Sequence, residues 1–145
     1  MSERTRDELE VKGGVEACYA VAADFARYPE WEKNTRKAEV KETDTEGRGT
    51  RVWFEFETPI KNALYTLAYD HSDFPHSMSF DLLEGDLREM NGRWTFEDRG
   101  NGVTGVIYEV SVRPDFPLPN LLKKAIEKKH CRSCVKTVKT RVEGN

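Results

Sequence analysis

The sequence lacks any long apolar run and contains few cysteines, and these absences exclude several classes of protein. Its apolar runs extend only a few positions and its mean hydropathy is -0.74, so no segment predicts a transmembrane helix. The opening residues, Met-Ser-Glu-Arg, have no apolar core of the kind found in signal peptides. The 3 cysteines favour reduced thiols over a disulfide framework, because their number is odd. A cytoplasmic location is therefore expected.

Signatures of common catalytic and cofactor sites are also missing. No glycine-rich phosphate loop follows a predicted strand, and no serine lies in a nucleophile elbow. Residues 130–134 (HCRSC) have the spacing of half a zinc site, to which Cys18 could add a thiolate, but there is no second cluster of ligands. We therefore expect no metal and no cofactor, and we interpret the thiols as small buried apolar groups.

Charge is distributed unevenly along the chain, although the net charge is only -3. Residues 118–145 are basic, whereas the preceding 117 residues are acidic. The simpler interpretation is a solvated basic face; the alternative is a docking surface for an acidic carrier protein or an anionic membrane. Nucleic acid is not expected as a partner, because the aromatic residues alternate with apolar positions and not with the basic ones.

One long helix is predicted at residues 118–142, where apolar side chains recur every four positions and basic side chains fill the remainder. The recurring positions are Leu118, Leu122, Ile126, His130, Cys134, Val138 and Val142, flanked by Leu121, Ala125 and Val135. A helix with one apolar face must cover an apolar surface. No other long helix is predicted, so this surface must be a sheet.

The sheet is predicted from alternation of apolar and polar residues. Residues 6–12 predict a first strand, and the spacing within residues 15–25 and 27–31 predicts two short helices after it. Five or six further strands follow between residues 36 and 115, joined by short turns. The fold class is therefore α+β, with a curved antiparallel sheet of six to seven strands around the C-terminal helix. By its length the chain, residues 1–145, is expected to form a single domain.

Local sequence within this pattern resembles a known family. The matching segments are residues 21–31 (VAADFARYPEW), 80–85 (FDLLEG), 90–96 (MNGRWTF) and 104–108, followed by the proline-bounded terminal helix. They resemble the polyketide cyclase/dehydrase and lipid-transport family, within the START-like helix-grip superfamily. The resemblance covers roughly residues 8–143 and is more specific for fold than for activity.

The resemblance implies a deep cavity between the sheet and the terminal helix that holds a lipid-like, polyketide-like or isoprenoid molecule. The curvature of the sheet supports such a cavity in part, because a bent sheet and a single helix do not pack together without leaving gaps. Binding or transfer of such a molecule is the preferred function. The candidate ligand-binding residues are Phe54, Phe56, Tyr65, Tyr69, Phe80, Trp94, Tyr108, Ile126, His130 and Cys134, although many of the aromatic residues could simply fill a core.

An aromatase/cyclase or dehydratase acting in the same cavity is the alternative. His130 and Tyr108 are its candidate catalytic residues, because an imidazole can move a proton at neutral pH. The competing interpretation is a structural histidine bonded to Tyr108 or to a main-chain carbonyl. Three carboxylates lie near the matching segments: Asp24, Glu84 and Glu89. The sequence gives no evident acid-base pair among these residues.

A stiff apolar connection precedes the helix at residues 113–119 (RPDFPLP). We expect Phe116 and Leu118 to lie at the mouth of the cavity as a gate, together with the turns at residues 46–49 and 73–75. A rigid connector that only sets the angle of the helix is the alternative.

Overall fold

The strands and helices follow one another in the order that the sequence pattern predicts. The structure is a computed structural model that describes residues 4–144. Seven strands form one antiparallel sheet in the order β1-β7-β6-β5-β4-β3-β2. The strands are β1 (Thr5–Lys12), β2 (Thr35–Thr43), β3 (Gly49–Glu57), β4 (Asn62–Asp70), β5 (Ser77–Gly85), β6 (Leu87–Asp98) and β7 (Val103–Pro114). The helices are α1 (Val15–Ala22), α2 (Tyr28–Trp31) and α3 (Asn120–Glu143), with a 3-10 turn at Phe25–Arg27.

Strand β3 shows how alternation in the sequence gives a strand one buried face and one outer face. Val52, Phe54 and Phe56 are buried, whereas the alternate positions point away from the core. Opposite them on β4, Tyr65 pairs directly with Phe54, and their ring centroids are 5.7 Å apart. Aromatic pairs of this kind favour one register, because a slip by one residue would turn every buried side chain outward.

The first predicted helix is shorter than residues 15–25. Helix α1 ends at Ala22, and the chain re-forms as the 3-10 turn and then as α2, with a proline in the first turn of α2. Phe25 is still buried as its spacing predicted, since the 3-10 turn carries it onto Tyr69, with ring centroids 4.2 Å apart.

The buried face of α3 differs from the predicted stripe at its N-terminal end. Leu121 is 88% exposed and Ala125 is also exposed, so both predictions are wrong. Glu127 and Cys131 are buried instead. Positions four residues apart rotate gradually around a helix of 3.6 residues per turn, so a line through them leaves the buried face over several turns. The face that is buried packs mainly on β1, β7 and α1.

Candidate functional site

An apolar cavity lies where the N-terminal half of α3 meets the sheet. Its volume is about 60 Å³, and it is bounded by the ends of β3, β6 and β7, by β4 and by the connection between β7 and α3. Most of its wall is apolar, formed by Phe56, Tyr65, Met90, Phe116, Leu118 and Ile126. Besides the hydroxyls of Thr58 and Tyr65, the polar side chains among the described residues that line it are those of Lys123, Glu127 and His130.

Aromatic rings fill the interior beyond this cavity. A small inner void of about 10 Å³ shares Tyr65, Met90 and His130 with the cavity, and Phe54, Tyr69, Trp94 and Tyr108 also line it. Phe80 and Cys134 line neither space and are packed in the core. The space between sheet and helix is therefore smaller than the deep cavity that the resemblance implies.

Phe116 and Leu118 lie in the wall of the cavity and are partly exposed. The turns at residues 46–49 and 73–75 do not, and this part of the gate prediction is wrong. They meet at the other end of the sheet, where His71 Nε2 lies 2.6 Å from the carbonyl oxygen of Gly49. Successive turns of a meander alternate between its two ends, so the turns near the mouth are those that follow β3 and β5.

His130 is held by a carboxylate that lies 98 positions earlier in the chain. Its Nδ1 is 2.8 Å from Glu32 Oε2, and its Nε2 is 3.1 Å from the hydroxyl of Tyr108. A carboxylate only accepts hydrogen bonds, so Nδ1 carries the proton that points at Glu32. Nε2 and the hydroxyl of Tyr108 form the second hydrogen bond of the ring, and Tyr108 is the partner that the competing interpretation of the sequence named. Glu32, His130 and Tyr108 thus form one hydrogen-bonded chain beside the cavity.

Further donors fix the orientation of Glu32, which is 2% exposed. The backbone N–H of Asn34 donates to Oε1 at 3.0 Å, and the hydroxyl of Thr35 lies 3.4 Å from Oε2. Burial raises the pKa of the Glu32 carboxyl, but the hydrogen bond and charge of His130, with these two donors, outweigh burial and lower the pKa overall. Glu32 is therefore an ionised group that orients His130.

The remaining polar groups near His130 stay protonated at neutral pH. Burial raises the pKa of Tyr65 and of Tyr108 well above that of an exposed phenol. Burial likewise raises the pKa of the Cys134 thiol, whose sulfur is 3.7 Å from His130 Nε2, and raises that of Cys131 to about 12. Neither thiol is a nucleophile in this state, because the thiolate is the reactive form.

Glu127 is a second buried carboxylate, on the face of α3 that meets the sheet. It is 4% exposed and accepts hydrogen bonds from the hydroxyl of Thr5 at 2.9 Å and from the backbone N–H of Val112 at 3.1 Å. Lys123 Nζ lies 3.2 Å from its Oε2. Glu127 thus ties α3 to β1 and β7 beside the cavity.

Both buried carboxylates escaped the sequence prediction. Glu127 had a usable signal, because it precedes the buried Cys131 and Val135 by four and eight positions and so shares their helical face. Glu32 had none, since only the folded chain places it against His130.

The basic side chains of α3 are in part paired within the molecule. Arg132 contacts Asp7 at 2.7 Å, Arg141 contacts Glu30 at 3.3 Å, and Lys139 contacts Glu143 at 2.8 Å. Such exposed pairs lower the positive field of the helix. Docking of an acidic carrier protein or a membrane on this face stays a prediction. Within residues 4–144, no helix is both long enough and apolar enough to span a bilayer, and no three His, Cys, Asp or Glu side chains group to hold a metal ion.

Glu32 predicts a pH dependence of stability. Its pKa in the folded protein lies below its ordinary value of 4.5, so its stabilising effect is complete above that value and is lost as the pH falls through the folded pKa. We expect the difference in unfolding free energy between wild type and Glu32→Gln to shrink as the pH falls from about 5 to about 3. Urea unfolding of both proteins across this range measures the difference, and effects of other carboxylates cancel. A difference that does not change with pH would contradict the prediction.

The architecture and the cavity together define the class of protein: an antiparallel sheet curled around a terminal helix, with an apolar cavity where they meet, is a helix-grip fold of the START-like class. A sequence profile described as polyketide cyclase / dehydrase and lipid transport matches residues 12–138. The chain therefore belongs to this family. No curated protein matches the sequence significantly.

Solved structures agree with this fold over almost the whole chain. A START superfamily protein from Mycobacterium smegmatis is 18% identical, with a TM-score of 0.83 and coverage of 97% of both chains. A protein from Thermus thermophilus is 21% identical, with a TM-score of 0.76 and coverage of 98% of both chains. The Zhui aromatase/cyclase from Streptomyces sp. R1128 is 13% identical, with a TM-score of 0.72 and coverage of 98% of this chain and 96% of that one. At these identities the likeness concerns the fold.

Proposed function

We propose that the protein binds a hydrophobic small molecule in the cavity between the sheet and α3. The observation that supports this proposal most strongly is the apolar wall of Phe56, Met90, Phe116 and Ile126, with the polar His130 beside it. Apolar walls with a few fixed polar groups are typical of ligand sites. Such a wall favours an apolar guest that offers His130 a hydrogen-bonding group.

The volume of the cavity determines how a ligand enters. At about 60 Å³ it accepts only part of a lipid or polyketide chain. A larger guest must displace the segment that contains Phe116 and Leu118, which has no strand partner after Pro114 and lies outside α3. The gate that the sequence predicted is thus part of the proposal.

Filling the cavity tests where the ligand binds. We expect Ile126→Trp to weaken binding of a neutral apolar dye such as Nile red by about tenfold or more, because the indole occupies the ligand's space. Leu121→Trp is the matched control, since it adds the same group to an exposed position of the same helix. Fluorescence titration gives both affinities, and native mass spectrometry of gently purified protein shows any ligand that co-purifies. Equal dye binding by wild type and Ile126→Trp would contradict the proposal.

A second candidate function is catalysis of proton transfer in the same cavity, which the contact between Glu32 and His130 favours. A carboxylate that orients an imidazole is the arrangement by which enzymes position a general base. Glu32 would hold Nδ1–H of His130, and Nε2, once the hydroxyl of Tyr108 has turned away from it, would take a proton from the carbon next to a carbonyl of a bound poly-ketone, which leaves an enolate. Aldol-type cyclisation of the folded chain could follow.

Replacing His130 by Ala separates catalysis from binding. If His130 is the general base, turnover of a linear poly-β-ketone analogue should fall by about a hundredfold or more, while the dissociation constant changes far less. Product formation measured by chromatography and affinity measured by calorimetry give the two values. Equal losses of turnover and affinity would assign His130 to binding alone.

A further inference from the structure

A second space adjoins the cavity on the outer side of Phe116 and Leu118. It is an open cleft of about 520 Å³. Pro114, Phe116, Leu118 and Lys123 line both the cleft and the cavity, so these residues form the partition between them. A molecule that displaces Phe116 would extend from one space into the other.

The cleft is basic, although the first 117 residues of the chain are acidic as a whole. Arg88, Arg113 and Lys123 line it, together with the single carboxylate of Asp115. Arg88 pairs with Asp115 at 3.2 Å, whereas Arg113 approaches Glu89 only at 3.9 Å, which is too long for a hydrogen bond. Lys123 is paired with Glu127, so each of the three cations has a carboxylate nearby, but only that of Asp115 lines the cleft. An anion in the cleft would therefore meet more cationic than anionic side chains.

Lys123 connects the two spaces and is held in place. Its side chain is 18% exposed, and its Nζ lies 3.0 Å from the carbonyl oxygen of Val112 and 3.2 Å from Glu127 Oε2. An ammonium group has three N–H donors, so one remains for a ligand. The short distances fix this donor at the boundary between apolar wall and basic cleft.

We propose that the ligand is an anionic amphiphile, whose apolar tail occupies the cavity and whose carboxylate or similar head lies in the cleft against Lys123 and Arg113. This inference rests on the proposed binding function and specifies the class of its ligand. The two compartments match the two ends of such a molecule in polarity, and their shared wall sets the point at which the tail ends and the head begins.

Three probes with the same alkyl chain test the head group: octanoate, octanol and octylammonium, titrated by calorimetry at low salt. We expect octanoate to bind about tenfold more tightly than octanol, and octylammonium to bind least tightly, because the cleft favours negative charge. Arg113→Gln should lower the ratio of the octanoate affinity to the octanol affinity by about fivefold or more, and it should leave the affinity for octanol unchanged. Lys129→Gln is the control, since it removes one positive charge from α3 at an exposed position that lines neither space.

The outcomes distinguish this inference from the proposed function. Octanol binding as tightly as octanoate, or an Arg113→Gln protein that keeps the full preference for octanoate, would overturn the inference and leave the cavity as a binding site for neutral molecules. If none of the probes binds, the proposed function fails and the inference fails with it. Lys123→Gln provides a second test of the head-group contact, with the melting temperature as a check that the contact of Glu127 with the sheet survives.

Discussion

Replacing Trp94 by Ala should lower the free energy of unfolding by about 4 kcal/mol, because it deletes a fully packed indole. Trp94 is 1% exposed, and its ring centroid lies 4.7 Å from that of Tyr108 and 6.0 Å from that of Phe96. The vacated space joins a void of only about 10 Å³, so the neighbouring rings lose most of their contacts with the indole. The melting temperature should fall by about 12 °C.

Trp53→Ala is the matched control for this substitution. Trp53 lies on the other face of β3, is only partly buried and has Lys41 Nζ 5.9 Å from its ring. We expect a loss of about 1 kcal/mol there. Urea unfolding followed by far-ultraviolet circular dichroism compares the two variants, and a small loss for both would show that the interior is loosely filled. In that case the ligand would have access to the deeper chamber that the family resemblance implies.

Replacing Glu32 by Ala should lower the free energy of unfolding by about 3 kcal/mol, because it removes the acceptor of several buried donors at once. The Nδ1–H of His130 and the backbone N–H of Asn34 lose their partner, and water has little access to the position that the carboxylate leaves. The imidazole should also lose its fixed orientation. Ligand binding or turnover that depends on His130 should fall in the same variant.

Glu30→Ala is the control, two positions earlier in α2. Glu30 is exposed and makes ion pairs with Arg27 at 3.7 Å and Arg141 at 3.3 Å, so its removal should change the stability by less than about 1 kcal/mol. Urea unfolding at neutral pH measures both variants, and nuclear magnetic resonance of the His130 ring detects its orientation. If the two glutamates prove equally dispensable, the chain from Glu32 to Tyr108 does not stabilise the site.

The strands were predictable because their signal is local. Alternation in residues such as Val52, Phe54 and Phe56 identifies a strand with one buried face, and the short turns require neighbouring strands to be antiparallel. Turn positions were equally clear. Which turns lie near the mouth requires counting strands through the whole meander, and the turn at residues 46–49 was assigned to the wrong end.

The sequence by itself determined the order of the elements and the buried faces of the strands, because these follow from periods of two and 3.6 residues within short segments. Only the tertiary structure decided which side chains meet across the interior. It placed Glu32 against His130, packed aromatic rings into most of the expected cavity, and left an apolar space beside Phe116 and Lys123. Contacts of this kind join residues that are distant in the chain and depend on side-chain volumes that close or leave open a gap, and no local pattern records either.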